Sequence, residues 1–196
     1  MKKVILSVAA VFAFGFANAQ ETVSEGFSKG DVFINGALSF GTSKTGDNKT
    51  TGFEVAPSVG YFVTENIAVG VRLGFASDKT EEVGEAELKQ TTFNVGAFGR
   101  YYFTPASKFS FFGELGVNYG NSKIEQGPGE YKENNFGVQV APGVSYFLSS
   151  NIALEASFGI LGFNTVDPDV DGADKRNSFD FGLDTRDIRL GLVYKF

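Results

Sequence analysis

Residues 55–75 read VAPSVGYFVTENIAVGVRLGF, and this stretch decides the fold. Apolar side chains occupy alternate positions on both sides of a short polar segment, residues 64–66. Alternation with period two is typical of strands whose two faces meet different environments. The stretch therefore predicts a hairpin, with one strand on each side of a tight turn.

The same pattern returns at residues 140–160, which read VAPGVSYFLSSNIALEASFGI. The two stretches align without gaps and agree at 10 of 21 positions. An internal repeat of this kind predicts that one architectural unit is used twice.

Working outward, the chain contains eight alternating segments. They cover residues 32–41, 53–63, 67–76, 93–103, 109–119, 136–148, 152–160 and 188–196. Phe179, Phe181 and Leu183 have the opposite parity to the last segment, which predicts a bulge near residues 184–187.

The connections between these segments alternate in length. Tight turns are expected at residues 64–66, 104–108 and 149–151, and long polar loops at residues 43–52, 77–92, 120–135 and 161–178. Short turns on one rim and long loops on the other are typical of an up-and-down barrel inserted into a membrane. The sequence predicts an all-β, eight-stranded antiparallel transmembrane β-barrel.

The distribution of side-chain size indicates which face meets lipid. One face carries nearly all the β-branched and aromatic residues, and the other is rich in Gly, Ala and Ser with occasional charges. An eight-stranded lumen holds only side chains, so the small residues are expected inside and the bulky apolar ones outside. A soluble periplasmic binding barrel, with the apolar face inside, is the alternative.

The composition excludes several functions. The 196 residues include no His, Cys or Trp, so His-based and Cys-based nucleophile systems and the usual zinc and haem sites are absent. The formal net charge of −6 argues against nucleic acid as a partner. We expect no catalytic residues and no cofactor.

The N-terminal residues have the form of a secretion signal. A basic start and an apolar run precede Ala17-Asn18-Ala19, which has the small-x-small pattern of a signal-peptidase site. We expect residues 1–19 to be cleaved, residues 20–29 to form a short polar segment, and residues 30–196 to form the barrel. The expected location is the outer membrane.

Four strands end with an outward tyrosine close to the short-turn rim. These four phenols, expected to form an aromatic girdle at one bilayer interface, are Tyr61, Tyr101, Tyr146 and Tyr194.

The chain also ends in RLGLVYKF, and the residues that carry the pattern are Arg189, Gly191, Tyr194 and Phe196. This ending resembles the terminal signal read by the barrel assembly machinery of Gram-negative bacteria. The chain as a whole is similar to small eight-stranded outer-membrane β-barrel proteins of the OmpX and OmpA type, often grouped with porins. The resemblance implies the fold, the outer membrane and contact with that machinery during biogenesis, and little about activity.

Charged residues also occur at the alternate strand positions whose side chains are expected to point into the lumen. They are Glu54, Arg72, Arg100, Glu114, Glu155 and Arg189, with Asp31 and Lys195 at the turn-side ends of the first and last strands. Buried charges are tolerated when paired, so an internal ion-pair network is expected. A charged constriction in a pore is the alternative, but large inward aromatics near the short-turn rim favour a closed lumen.

The long connections contain acidic residues. Asp167, Asp169 and Asp171 follow the start of a calcium loop, but the twelfth position is Ser178 rather than Glu, so a solvated loop tip is preferred. Glu81, Glu82, Glu85 and Glu87 are expected to be a solvated surface.

Three functions remain open on these grounds. The first is a monomeric, non-enzymatic barrel that serves envelope structure or meets an unknown extracellular ligand through long acidic loops, with outer-membrane lipid around it. The second is narrow, OmpW-like uptake of small or hydrophobic molecules. The third is the soluble binding barrel.

Overall fold

The structure is a computed structural model that describes residues 25–82, 84–170, 172–182 and 188–196. The predicted signal segment and the predicted bulge near residues 184–187 lie outside these ranges. Within them, no helix is long and apolar enough to cross a bilayer.

In the described ranges, ten β-strands make one sheet. They are β1 Val32–Thr45, β2 Asn48–Phe62, β3 Ile67–Glu81, β4 Leu88–Tyr102, β5 Phe109–Gln126, β6 Gly129–Phe147, β7 Ile152–Phe158, β8 Leu161–Pro168, β9 Arg176–Phe181 and β10 Ile188–Lys195. From β1 to β7 each strand pairs antiparallel with its neighbours along the chain, β8 pairs with β6 and β9, and β10 pairs with both β7 and β1. The sheet therefore closes on itself, which confirms the predicted antiparallel eight-stranded barrel.

Ten strands fill eight barrel positions because the last two positions are each made of two strands. β7 and β8 form the seventh position, and β9 and β10 form the eighth. β6 pairs with β7 through Gly143 and Ser157 and with β8 through Val140 and Leu161. β6 advances three residues between these pairs while its partner advances four, so the seventh barrel strand carries a one-residue bulge. β8 and β9 continue the sheet beyond β7 and β10.

The short turns lie where they were predicted, on one rim that we call the lower rim. The prediction of long loops at the upper rim is wrong, because the strands continue through most of those residues and β1 and β2 are joined by two residues, 46 and 47. The apolar alternation ends where the outward side chains become polar, but backbone pairing does not depend on that alternation. The end of the apolar pattern therefore marks the end of the lipid contact rather than the end of the strand.

The outward face is apolar, as predicted. Val69, Leu115 and Leu192 are 43%, 55% and 54% exposed, whereas the inward Glu114 is 5% exposed. The side chains of Tyr61, Tyr101, Tyr146 and Tyr194 point outward near the lower rim.

A second ring of exposed aromatics, not foreseen from the sequence, surrounds the barrel higher up. We call it the upper ring, and its members on β1–β6 are Phe40, Phe53, Phe75, Phe93, Tyr119 and Phe136. Eight residues separate Phe53 from Tyr61 and ten separate Phe136 from Tyr146. At ~3.3 Å per residue and a tilt of ~40°, the rings are ~20–25 Å apart, which matches the apolar band of membrane barrels.

Glycines on the inward face make room for aromatic rings. Phe33 lies opposite Gly60 in the β1–β2 ladder, Phe98 lies opposite Gly70, and the ring of Phe112 covers Gly143. A Cβ atom at Gly70 would overlap both the Phe98 ring and a backbone carbonyl oxygen of β2. Glycine is therefore required opposite these rings, because the narrow lumen leaves no other place for them.

We predict that Gly70→Ala lowers the free energy of unfolding by about 1–3 kcal/mol, the usual cost of overpacking. Gly99→Ala on the adjacent β4 is the matched control, since nothing lies within 4 Å of its added methyl group. Urea titration followed by cold gel mobility, which separates folded from unfolded barrel, measures both variants. Equal stability of the two variants would contradict the packing argument.

Candidate functional site

The lumen is divided into three layers, and the middle one is a charged cluster that we call the lumen network. Arg100 of β4 is its centre: Nε donates to Glu114 Oε2 at 2.7 Å, and a terminal nitrogen donates to Glu155 Oε2 at 2.8 Å. Arg72 of β3 donates to both oxygens of Glu114 at 3.0 and 3.1 Å. Tyr102 donates its hydroxyl to Glu155 Oε1 at 3.0 Å.

The lumen network bridges strands that are not neighbours. Arg100 and Glu155 are 4% and 4% exposed in their side chains, and they join β4 to β7 across the lumen. Asn35 of β1 donates to Glu155 Oε2 at 2.7 Å. Side chains from five strands are thus cross-linked at one height.

The surroundings of Arg100 explain how a charge is accommodated at this depth. Its guanidinium carbon lies 4.9 Å from the Phe98 ring centroid and 4.7 Å from that of Phe112. Aromatic faces attract a cation, and two carboxylates neutralise it. The carboxylates are therefore engaged in ion pairs rather than available as an acid and base pair.

The other predicted lumen charges lie elsewhere. Asp31 and Lys195 approach each other at the lower rim, with 3.8 Å between Oδ2 and Nζ, and burial raises the pKa of the Asp31 carboxyl. Arg189 donates to Gln139 Oε1 at 2.7 Å, high in the lumen. Glu54 lines the upper cavity and is not joined to the lumen network.

Beneath the network, aromatic rings fill the lower end of the barrel. We call this layer the aromatic plug, and its rings belong to Phe27, Phe33, Phe62, Tyr102, Phe112 and Phe147. Phe27 lies in the middle, with ring centroids 4.7 Å from Phe62 and 4.8 Å from Phe147. The sequence predicted the strand-borne rings but not Phe27.

Phe27 comes from the short N-terminal segment that was expected to lie outside the barrel. Its backbone nitrogen donates to Pro105 O at 2.7 Å, and Lys195 Nζ donates to Gly26 O at 2.5 Å. A lone aromatic in a polar stretch beside Gly26 was the available sequence signal. The alternation of inward and outward side chains could not identify Phe27, because that alternation applies only to residues within a strand.

Above the network lies a cavity of about 870 Å³ with polar walls. Amide side chains line much of it, namely those of Asn35, Gln90, Asn94, Asn118, Asn135, Gln139 and Asn164. Ala37 of β1 and both Leu190 and Gly191 of β10 belong to the same wall. The cavity therefore reaches the junction of the first and last barrel positions.

Among the described residues, that junction has the shortest ladder between two barrel positions. β1 pairs with β10 only from Phe33 opposite Lys195 to Gly36 opposite Leu192, four residue pairs, while β1 and β2 form fourteen. Above Gly36, β1 has no second neighbour among the described residues, and β9 is paired only with β8 there. We call the junction of β1 and β10 above these four pairs the upper seam.

Side chains beside the upper seam are unusually exposed. Phe181, Phe40, Leu190 and Phe179 are the most exposed large apolar side chains of the described residues, at 79%, 72%, 70% and 65%. A neighbouring strand would normally cover part of each.

The calcium-loop candidate is only partly described, because Asp171 lies outside the described residues. Asp167 makes an ion pair with Lys175 at 2.8 Å. No group of three or more potential metal ligands is present in the described part of the chain.

Comparison with known proteins gives one family. The model of the outer membrane protein beta-barrel domain matches residues 6–196. A 22 kDa outer membrane protein of Rhizobium leguminosarum bv. viciae is 27% identical over 175 residues, 88% of this chain and 78% of that protein.

Two solved structures have a similar fold. The outer membrane protein OprG of Pseudomonas aeruginosa is 17% identical with a TM-score of 0.52, over 88% of this chain and 99% of that one. A major outer membrane protein of Thermus thermophilus is 13% identical with a TM-score of 0.52, over 85% of this chain and 98% of that one.

We predict that Arg100→Leu lowers the free energy of unfolding by about 3–5 kcal/mol, because it leaves buried carboxylates partly unpaired. Arg72→Leu is the comparison: its side chain is 31% exposed and Glu114 keeps its bond to Arg100, so the loss is smaller. Urea titration of both variants in vesicles provides the measurement. A larger effect at Arg72 than at Arg100 would show that Arg100 is not the centre of the network.

Proposed function

Because the chain belongs to the outer membrane protein beta-barrel domain family, we propose that it is a closed, non-enzymatic barrel that serves the structure of the outer membrane. The observation that carries this proposal is the double obstruction of the lumen. The lumen network crosses the barrel, and the aromatic plug fills it below. Solutes therefore have no continuous aqueous route from one rim to the other.

The chemistry of the lumen supports a non-enzymatic role. Glu114 and Glu155 each accept hydrogen bonds from Arg100. Two carboxylates held by the same guanidinium are ion-paired and do not alternate between acid and base. With no His or Cys in the sequence, no other nucleophile system of the common types is available.

The upper strand extensions support contact with the cell exterior. β5 and β6 continue seven residues beyond the upper ring on each strand, to Gln126 and Gly129. At ~3.3 Å per residue they rise well above the apolar band. We propose that this rigid, paired projection replaces the long flexible loops as the surface-exposed element.

Conductance tests the closed lumen. We predict that the protein in planar bilayers shows no steady open conductance, and that Phe27→Ala alone stays closed because the lumen network remains. The charge-neutral combination of Phe27→Ala, Arg100→Ala and Glu155→Ala removes the central ring of the aromatic plug and the central ion pair of the lumen network, and it should conduct. Cold gel mobility confirms that each variant is folded, and steady conductance of the unsubstituted chain would overturn the proposal.

One observation favours a second function, the uptake of small apolar molecules. The upper seam lies beside the polar cavity, and apolar side chains flank it on both sides. A molecule dissolved in the bilayer, or entering from above, could pass between the cavity and the lipid at this seam without crossing the plug. This route fits the uptake hypothesis better than a vertical pore does.

We predict that a disulfide closing the upper seam, Ala37→Cys with Gly191→Cys, lowers transfer of an apolar fluorophore into vesicles several-fold, if the seam is the route. These positions face each other when the register of β1 and β10 is extended by one pair. The matched control is Gly36→Cys with Leu192→Cys, which links a pair already in the ladder. The chain has no native cysteine, so each disulfide is the only one. Equal fluorophore transfer by the two disulfide-linked variants would contradict the uptake proposal.

A further inference from the structure

The outward face of β1–β6 changes composition in regular steps above the upper ring. Two residues beyond each ring aromatic, away from the lower rim, every one of the six strands carries a hydroxyl or amide side chain. These residues are Thr42, Thr51, Ser77, Thr91, Asn121 and Asn134. On each of these strands, the outward side chain next above the ring aromatic is therefore one that can form hydrogen bonds.

Two residues further along each strand, all six outward positions hold lysine. We call this ring the lysine belt, and its members are Lys44, Lys49, Lys79, Lys89, Lys123 and Lys132. Each lysine stands four residues beyond an aromatic of the upper ring on its own strand. The same spacing on six strands places the ammonium groups at one common height.

The register puts these lysines in facing pairs. Lys44 lies opposite Lys49, Lys79 opposite Lys89, and Lys123 opposite Lys132. Like charges directly opposite each other on neighbouring strands destabilise a sheet. Three such pairs at one height indicate a surface whose repulsion is relieved by anions.

Acidic residues above the belt offset part of the repulsion between these lysines. The next outward positions hold Asp47, Glu81, Glu87, Glu125 and Glu130. Lys79 pairs with Glu81 at 2.7 Å and with Glu87 at 2.8 Å, and Lys123 pairs with Glu125 at 2.9 Å. Lys44, Lys49 and Lys89 form no direct ion pair among the described residues, although Glu81 lies opposite Lys49 and Glu125 lies opposite Lys89 in the ladders. Their ammonium groups therefore keep hydrogen-bonding capacity for an external anion.

The height of the belt identifies the anion. Four residues at ~3.3 Å and a tilt of ~40° place the ammonium groups ~10 Å above the upper ring. The upper ring marks the end of the apolar band, and the phosphate groups of membrane lipids lie just beyond it. Lysine is a common phosphate ligand, and basic residues near an anionic membrane surface bind it.

We propose that the lysine belt binds the phosphate groups of lipids around the barrel, while the hydroxyl and amide ring beneath it meets the glycerol or sugar hydroxyls of the same lipids. The apolar band, the hydrogen-bonding ring and the lysine belt then match the acyl chains, the polar linkage and the phosphate in that order. The partner is a phosphate-bearing membrane lipid rather than a soluble anion.

Reconstitution into vesicles of defined lipid tests this proposal. The protein is placed in phosphatidylcholine alone or mixed with phosphatidic acid, and thermal unfolding is followed by cold gel mobility. We expect phosphatidic acid to raise the unfolding temperature by several degrees. Lys44→Gln with Lys49→Gln, which removes one facing pair, should lose much of this gain and retain about fivefold less phosphatidic acid in native mass spectrometry.

The matched control is Lys29→Gln with Lys108→Gln, which removes the same charge near the lower rim and should keep the full gain. The unfolding temperature should rise little when inorganic phosphate is added to phosphatidylcholine vesicles. It should also rise little in vesicles made equally negative with a fatty acid. An equal loss in both double variants, or the full gain from free phosphate or fatty acid, would overturn the proposal.

Discussion

The narrowness of an eight-stranded lumen is the constraint on which the rest of this structure depends. Only one large side chain fits at a given height and direction, so each inward ring lies against a neighbour reduced to glycine. Phe33 opposite Gly60 and Phe98 opposite Gly70 are the clearest cases. The same arrangement continues with amides, since Asn118 lies opposite Gly137. Glycine on the inward face is thus part of the packing rather than a sign of flexibility.

This packing lets a charged group remain stable at the middle of the molecule. Arg100 contacts aromatic faces and two carboxylates at once, so these contacts together offset the free-energy cost of desolvating its guanidinium group. Beneath it the rings exclude water, which strengthens the ion pairs above. The two obstructions of the lumen therefore support each other.

Much of this arrangement could be predicted from the sequence, because the barrel imposes a strict period of two. Parity alone placed Arg72, Glu114 and Glu155 inside. The strand-borne rings of the plug followed from the same rule.

Other features could not be predicted, for definite physical reasons. Phe27 precedes the first strand and enters the lumen at the lower rim, so no periodicity marks it. The sequence predicts loops at the upper extensions because their outward residues are Thr, Lys and Glu, although their backbones remain paired. The short ladder between β1 and β10 depends on register between the two ends of the chain, and local patterns carry no information about register over that separation.

The contact of Lys195 with Gly26 joins residues 169 positions apart. Such a contact requires almost the whole chain to be in place before it forms, and the entropy of closing so long a loop opposes it until then. The packing position of Phe27 is thus completed only when β10 has joined the sheet. Sealing of the lower end is therefore coupled to the pairing of β10 with β1, and a molecule in which β10 has not joined the sheet has an unsealed lower end.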